Sequence, residues 1–268
     1  MTDIDIFGRK VFFVAQNSKV IPASFAEDFL SHGFETYFIQ ETAPAPLKQR
    51  IARIAEQYPE SLLLIYVDSD DTQIQQHTLL PDMLQAAGNS VRAGLLYRIN
   101  GTADQEQKVS ALAAGRMLVC GCTGLGDNPK VNFEVLCRVL DKGGAGGRRT
   151  MVRAVCDDSS AASFALNGKN FNEHIIDVNT EFFSCDVKAG LDSLPIYGQL
   201  HDVKLSINGL FIKTDAVLIM KRASKGKNLF IFMFTQPDGS PHLSKETHAA
   251  LNKKIYAIVT AQASAALQ

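Results

Sequence analysis

No apolar run in this 268-residue chain approaches the ~20 residues that a helix needs to cross a bilayer; the longest are of the kind LLLIYV at 62–67. The opening MTDIDIFGRK lacks both the basic start and the long apolar stretch of a signal peptide, so a cytoplasmic protein with no membrane span is expected. An excess of one charge is missing too. The chain carries 27 Lys and Arg against 28 Asp and Glu, a formal net charge of −1, which gives no general attraction to DNA, RNA or an acidic membrane. Any anion-binding surface must be local. The five cysteines contain no C-x-x-C pair, and none of the six histidines stands at metal-ligand spacing from another His or Cys. No Ser/His/Asp or Cys/His constellation can be assembled, so neither an enzyme nor a cofactor or metal is expected. The cysteines read as reduced, buried thiols, with Cys120 and Cys122 alternating along one strand.

What is present divides into two rhythms, and 46% hydrophobic residues over this length suffice for two cores. In the first half, VFFVA (11–15), TYFI (36–39), LLLIYV (62–67), AGLLYRI (93–99) and RMLVCG (116–121) are nearly continuous apolar runs, the mark of strands covered on both faces. Helical patterns separate them: Ile21, Phe25 and Phe29; Leu47, Ile51, Ile54 and Tyr58; a weaker one ending near Ala87; and Val109 with Leu112. The last helix is the clearest, with Asn128 to cap it, Pro129 in its first turn and Val131, Val135 and Val139 along one stripe. Alternation of this kind predicts an α/β domain, a (βα)5 doubly wound parallel sheet.

After Gly147 strands follow one another without helices: ASFAL (162–166), HIIDV (174–178), FFSCDV (182–187), VKLSI (203–207), LFIKT (210–214) and NLFIFMF (228–234). Asn208-Gly209 is a type I′ hairpin signal and Pro237-Asp238-Gly239 a second turn. From Ser244 the pattern is helical, with Leu251, Ile255, Ile258 and Val259 on one side. A six-stranded antiparallel β-barrel with a C-terminal helix is predicted. The run GGAGG (143–147) separates the regimes; its entropy makes it a hinge unless something holds it. The expected division is residues 1–142, a Gly-rich hinge at 143–148, and 149–268.

Three arginines crowd the junction: Arg148, Arg149 and Arg153. The last two stand four apart at the entrance of the barrel, and about 24 residues later a strand carries IIDVNTEFFSCDV. This arrangement resembles the PilZ domain family, whose pattern is R-x-x-x-R just before a barrel and D/N-x-S-x-x-G upon it. Arg149-Thr-Met-Val-Arg153 matches the first stretch, preceded by the further Arg148, and IYGQLHDVKLSING (196–209) is similar to the family's glycine-then-strand segment. The resemblance covers roughly residues 147–262 and implies a receptor for the bacterial second messenger cyclic di-GMP. It assigns Arg148, Arg149 and Arg153 to the phosphates and guanine edges, and Asp177 and Asn179 to reading a guanine from the barrel surface. Guanidinium groups suit such a ligand, since they bond guanine O6 and N7 bidentately, stack on purines and pair with phosphate. Within the second stretch, Asn179 stands at the family's serine and Phe182 at its glycine. If that glycine serves a positive φ or close approach, Phe182 blocks the site or demands strain. A slack glycine run would let the arginines close over the ligand and lock the two domains.

The first domain is similar to the receiver domains of two-component signalling, with Asp68 at the phosphoacceptor place. Gln16-Asn17 stand where that family holds magnesium with acids, and Arg98-Ile99-Asn100 offers no hydroxyl. Without those carboxylates phosphoryl transfer lacks its charge neutralisation, which predicts a pseudo-receiver used for docking. Gly121-Cys-Thr-Gly-Leu-Gly126 has neither the spacing nor the Lys-Ser/Thr ending of a phosphate loop and reads as a plain βα loop. The resulting expectation is a bacterial signal-transduction protein: a cyclic di-GMP effector with an unknown downstream protein partner. The alternative is a ligand-independent adaptor in motility or envelope machinery.

Overall fold

The computed structural model describes residues 6–14, 20–39, 46–67, 82–99, 109, 118–187, 191, 193–224 and 227–267. Its contacts fall into two units, residues 1–152 with 263–268, and residues 153–262.

The first unit carries β1 (Val11–Val14), β2 (Thr36–Ile39), β3 (Leu62–Val67), β4 (Arg92–Arg98) and β5 (Cys122–Leu125). All are parallel, in the order β2-β1-β3-β4-β5. This is the flavodoxin-like doubly wound order. Because side chains alternate along a strand, Val11, Phe13, Leu62 and Leu64 share one face, where they join Phe25 and Phe29 of α1 (Phe25–Ser31) and Leu136 and Leu140 of α3 (Pro129–Gly143) in one core. Phe12 faces the other way, against Tyr37 and Tyr58 at 5.2 and 5.5 Å; Tyr58 ends α2 (Leu47–Gln57). The weaker helical pattern appears as a helix at 82–87, and most of the segment around Val109 and Leu112 lies outside the described residues.

Two sequence expectations need correction here. The fifth strand is not RMLVCG: Val119 and Cys120 form a turn, closed by Gly121 N–H to the Leu118 carbonyl at 2.9 Å, and Cys122–Leu125 pairs with Leu95–Arg98. The segment read as a plain loop is therefore the strand, and Cys120 and Cys122 do not alternate along it. On α3 the buried stripe is Asn132, Leu136 and Leu140, while Val131 is half exposed. Asn132 turns the helix by one residue: its amide donates to the carbonyls of Val20 and Gly126 at 3.2 and 2.8 Å, and its Oδ1 accepts from Gly126 N–H at 2.9 Å. A buried amide so satisfied ranks with the apolar residues in holding the helix down. The expected cap is present, with Asn128 Oδ1 accepting from the N–H groups of Lys130 and Val131.

The second unit holds β6 (Ala154–Val155), β7 (Ala161–Leu166), β8 (Lys169–Val178), β9 (Phe182–Asp186), β10 (Gln199–Ile207), β11 (Leu210–Ser224) and β12 (Lys227–Thr235), followed by α4 (Lys245–Ala266). Antiparallel pairing runs β8-β7-β10-β11-β12-β9 and returns from β9 to β8, so six strands close into a barrel and β6 is added to β8. Asn208 (φ 45°) and Gly209 (φ 84°) make the tight turn between β10 and β11 that their sequence predicts. The barrel is filled by Phe183, stacked on Phe232 and Phe234 at 5.1 and 5.3 Å, and Leu251, Ile255, Ile258 and Val259 of α4 are buried as expected. This is the barrel with C-terminal helix expected of a PilZ-like domain.

Candidate functional site

Arg153 lies just before β6, and the pairing of β6 with β8 sets Val155 opposite Asp177. β8 changes register against β9 between Ile175 and Asp177, a bulge of the kind that re-aims the side chain beyond it. The outcome is an ion pair: Arg153 Nη1 donates to Asp177 Oδ1 at 3.2 Å, with the two side chains 22% and 27% exposed. Arg153 Nε is buried and has no hydrogen-bond partner among the described residues. A partly buried guanidinium with one donor bonded and another unmet has bonding capacity to spare. Beside the pair lies Cys156, whose thiol is pushed up to about 12 by burial, with Asp177 and Asp157 adding to the effect. Burial thus favours the protonated thiol.

Asn179 is engaged differently from the expectation. Its Oδ1 accepts the N–H groups of Glu181 and Phe182 at 2.8 and 2.6 Å, and its own N–H donates to the Phe182 carbonyl at 2.9 Å. Buried, it closes the turn between β8 and β9. Phe182 opens β9 opposite Met233 and is half-buried. It is not among the residues with positive φ, so the strain foreseen for a phenylalanine in place of glycine does not arise.

Arg148 and Arg149 belong to the first unit. Arg148 is exposed, whereas Arg149 donates its backbone N–H to the Ile6 carbonyl at 3.2 Å and holds its guanidinium 4.2 Å from the centre of the Phe7 ring. The glycine run just before them packs against the same N-terminal segment. A Cβ on Gly8 would stand 2.0 Å from the Ala145 carbonyl oxygen, and one on Gly147 would stand 2.4 Å from the Gly8 nitrogen. The glycines here let two backbones touch.

Gln16, Asn17, Asp68 and Asn100, on which the pseudo-receiver reading turns, lie outside the described residues. Arg98 at the end of β4 bonds Asp127 through Nε and Nη2 at 3.1 and 2.8 Å. Among the described residues no three or more His, Cys, Asp or Glu side chains gather as a metal site, and no helix is long and apolar enough to cross a membrane. The five cysteines are free. Cys156 and Cys185 are buried as expected, but Cys122 is exposed.

Sequence reasoning missed a second constellation on the barrel, at Lys204, Lys213, His201, Asp202 and Asp215. Counting outward from the Asn208-Gly209 turn sets Lys204 directly opposite Lys213, a register readable from the sequence. The bulge between Leu200 and Val203, with Asp202 at φ 55°, was not.

No protein-family model matches the chain, and no curated protein matches it. Among solved structures it is similar to Escherichia coli YcgR in complex with c-di-GMP, at 13% identity and a TM-score of 0.39, over 45% of this chain and 50% of that one. It is also similar to the PilZ domain of E. coli YcgR with c-di-GMP (14% identity, TM-score 0.37, 44% of this chain and 97% of that one). A third is the MrkH–c-di-GMP complex of K. pneumonia (16% identity, TM-score 0.36, 44% and 55%). The match spans about half the length of the YcgR and MrkH chains.

Proposed function

We propose that the chain is a cyclic di-GMP effector of bacterial signalling, not an enzyme, in which a receiver-like domain that does not accept phosphate serves as an interaction module. The observation that carries this reading is Arg153: the second arginine of an R-x-x-x-R stretch, positioned on the barrel against Asp177 with a buried Nε donor unmet among the described residues. Arg153 and Asp177 together present donor and acceptor on one surface. A guanine needs both, since its O6 and N7 accept while its N1–H and N2–H donate. Arg148 and Arg149 take the phosphates, for which Arg149 must leave the Phe7 ring. The part given to Asn179 is reduced, because its carbonyl oxygen is committed to the turn; it shapes the platform and leaves reading to Asp177. Isothermal titration of cyclic di-GMP into the full chain tests the reading. Saturable binding that disappears in Arg149→Ala and Arg153→Ala supports it, and an absence of heat at high micromolar ligand removes it.

A second reading is a ligand-independent PilZ-like adaptor in motility or envelope machinery. Two observations favour it: Asn179 is consumed by a turn, and Arg153 already has a carboxylate partner. It expects the same protein partners to be captured from cells unable to make the nucleotide as from cells that make it.

A further inference from the structure

A separate groove lies on the barrel where β10 parts from β7. Their pairing ends at Lys204 opposite Ser163, although β7 continues to Leu166. Just beyond that point β10 bulges against β11 at His201-Asp202, and the gap is a groove of about 620 Å³, lined among others by Asn170, Phe171, His201, Lys204 and Lys213. That volume suits a small molecule.

The chemistry of the lining has a direction. Asp215, almost wholly buried, accepts the Asp202 N–H at 3.0 Å through Oδ1 and meets His201 Nδ1 at 2.7 Å through Oδ2. The carboxylate therefore keeps the proton on Nδ1 and fixes the ring, leaving Nε2 as the atom of a largely exposed side chain that meets a ligand. Beside it Lys204 and Lys213 stand directly opposite each other across the β10–β11 ladder. Like charges at opposed positions destabilise a sheet, and an anion held between the two ammonium groups relieves that cost. Asp202 answers Lys213 at 2.7 Å, but both side chains are well exposed, and a competing anion separates such a pair cheaply. Phe171, also in the lining, is stacked on the buried Phe164 at 5.6 Å and so offers a fixed aromatic surface, and Asn170 is a further polar residue of the lining.

We propose that this groove is a second ligand site, for a small phosphate-bearing molecule with a planar ring, of the mononucleotide class. The phosphate lies between Lys204 and Lys213, a ligand hydroxyl donates to His201 Nε2, the ring lies against Phe171, and Asn170 bonds the edge of the base. The site shares no residue with Arg153 and Asp177 and stands whether or not cyclic di-GMP binds there.

Titrating GMP, AMP and inorganic phosphate separately into the isotopically labelled full chain, followed by NMR, tests the proposal. A mononucleotide is expected to shift the His201 ring, Lys213 and Asn170 signals saturably. Affinity should fall at least about tenfold in Lys204→Gln/Lys213→Gln, whose exposed positions leave the fold intact, and be unchanged in Arg153→Ala. Phe171→Leu should weaken the mononucleotides while sparing phosphate. The proposal is overturned if shifts are confined to Arg153 and Asp177, if the double lysine variant responds like the parent, or if inorganic phosphate binds as well as GMP and AMP.

Discussion

Replacing Asp177 by asparagine preserves the shape of the side chain and removes its charge, which separates its two roles. In the structure the carboxylate accepts from Arg153 Nη1 at 3.2 Å, and each side chain is roughly three-quarters covered. That places the pair between an exposed ion pair and a fully buried one, and its loss should lower stability by about 1–2 kcal/mol. On the proposed reading, the same carboxylate accepts two guanine N–H donors when cyclic di-GMP binds. Asparagine offers one oxygen and sets its own NH2 group against a donor, for a loss of about 2–4 kcal/mol, roughly 30- to 700-fold in Kd. Urea denaturation and calorimetry on the same protein preparation read the two effects. The reasoning fails if Asp177→Asn binds cyclic di-GMP as tightly as the parent. It fails equally if the variant binds more tightly, because the carboxylate would then be a lock on Arg153 and not a reader of guanine.

Three further predictions concern the frame around the site. Phe232→Ala removes the ring that stacks on Phe183 at the barrel centre and should cost about 3–5 kcal/mol in chemical denaturation, with a value under about 1 refuting the packing described. Gly8→Ala adds a methyl 2.0 Å from the Ala145 carbonyl at a φ of 79°, and should destabilise the first unit by about 3 kcal/mol or more. Gly209→Ala, at φ 84° but in open space, should cost only about 1–2 kcal/mol, so equal losses from the two changes would contradict the close approach. Burial raises the Cys156 thiol from 9.0 to about 12 and also raises that of Cys185. Below the unfolded value both states are protonated, while above it the unfolded chain ionises first. Stability should therefore be intact below about pH 9 and fall between about 9 and 12, and Cys156→Val/Cys185→Val should flatten that fall in urea midpoints. A parent and double variant with the same alkaline slope would refute it.

Much of the architecture was legible because it rests on local periodicity. The apolar runs at 11–14, 36–39 and 62–67 are strands, the Asn128-Pro129 start is a helix cap, and the Asn208-Gly209 turn fixes the hairpin that sets Lys204 opposite Lys213. Features decided by contacts distant in sequence were not legible. The face of α3 depends on Asn132 bonding Val20, 112 residues away, and hydrophobic spacing alone assigns a polar residue to solvent. The fifth strand was displaced because an apolar run followed by glycines reads as strand then loop, whereas pairing with β4 selects the glycine-containing segment. At the candidate site the sequence gives Arg153 and Asp177 their residue types, and the pairing of β6 with β8 brings them together. The commitment of Asn179 to its own turn is local but ambiguous, since asparagine after a strand suits a turn and a ligand alike. Glycine composition likewise does not distinguish a slack tether from two backbones in contact, as at Gly8 and Gly147.

A crystal structure of the chain grown with cyclic di-GMP tests the central claim most directly. The account predicts a guanine edge on the Asp177 carboxylate, with the Arg153 guanidinium, including Nε, on the ligand. Ligand density elsewhere, with the Arg153–Asp177 pair intact at its present 3.2 Å, would contradict it.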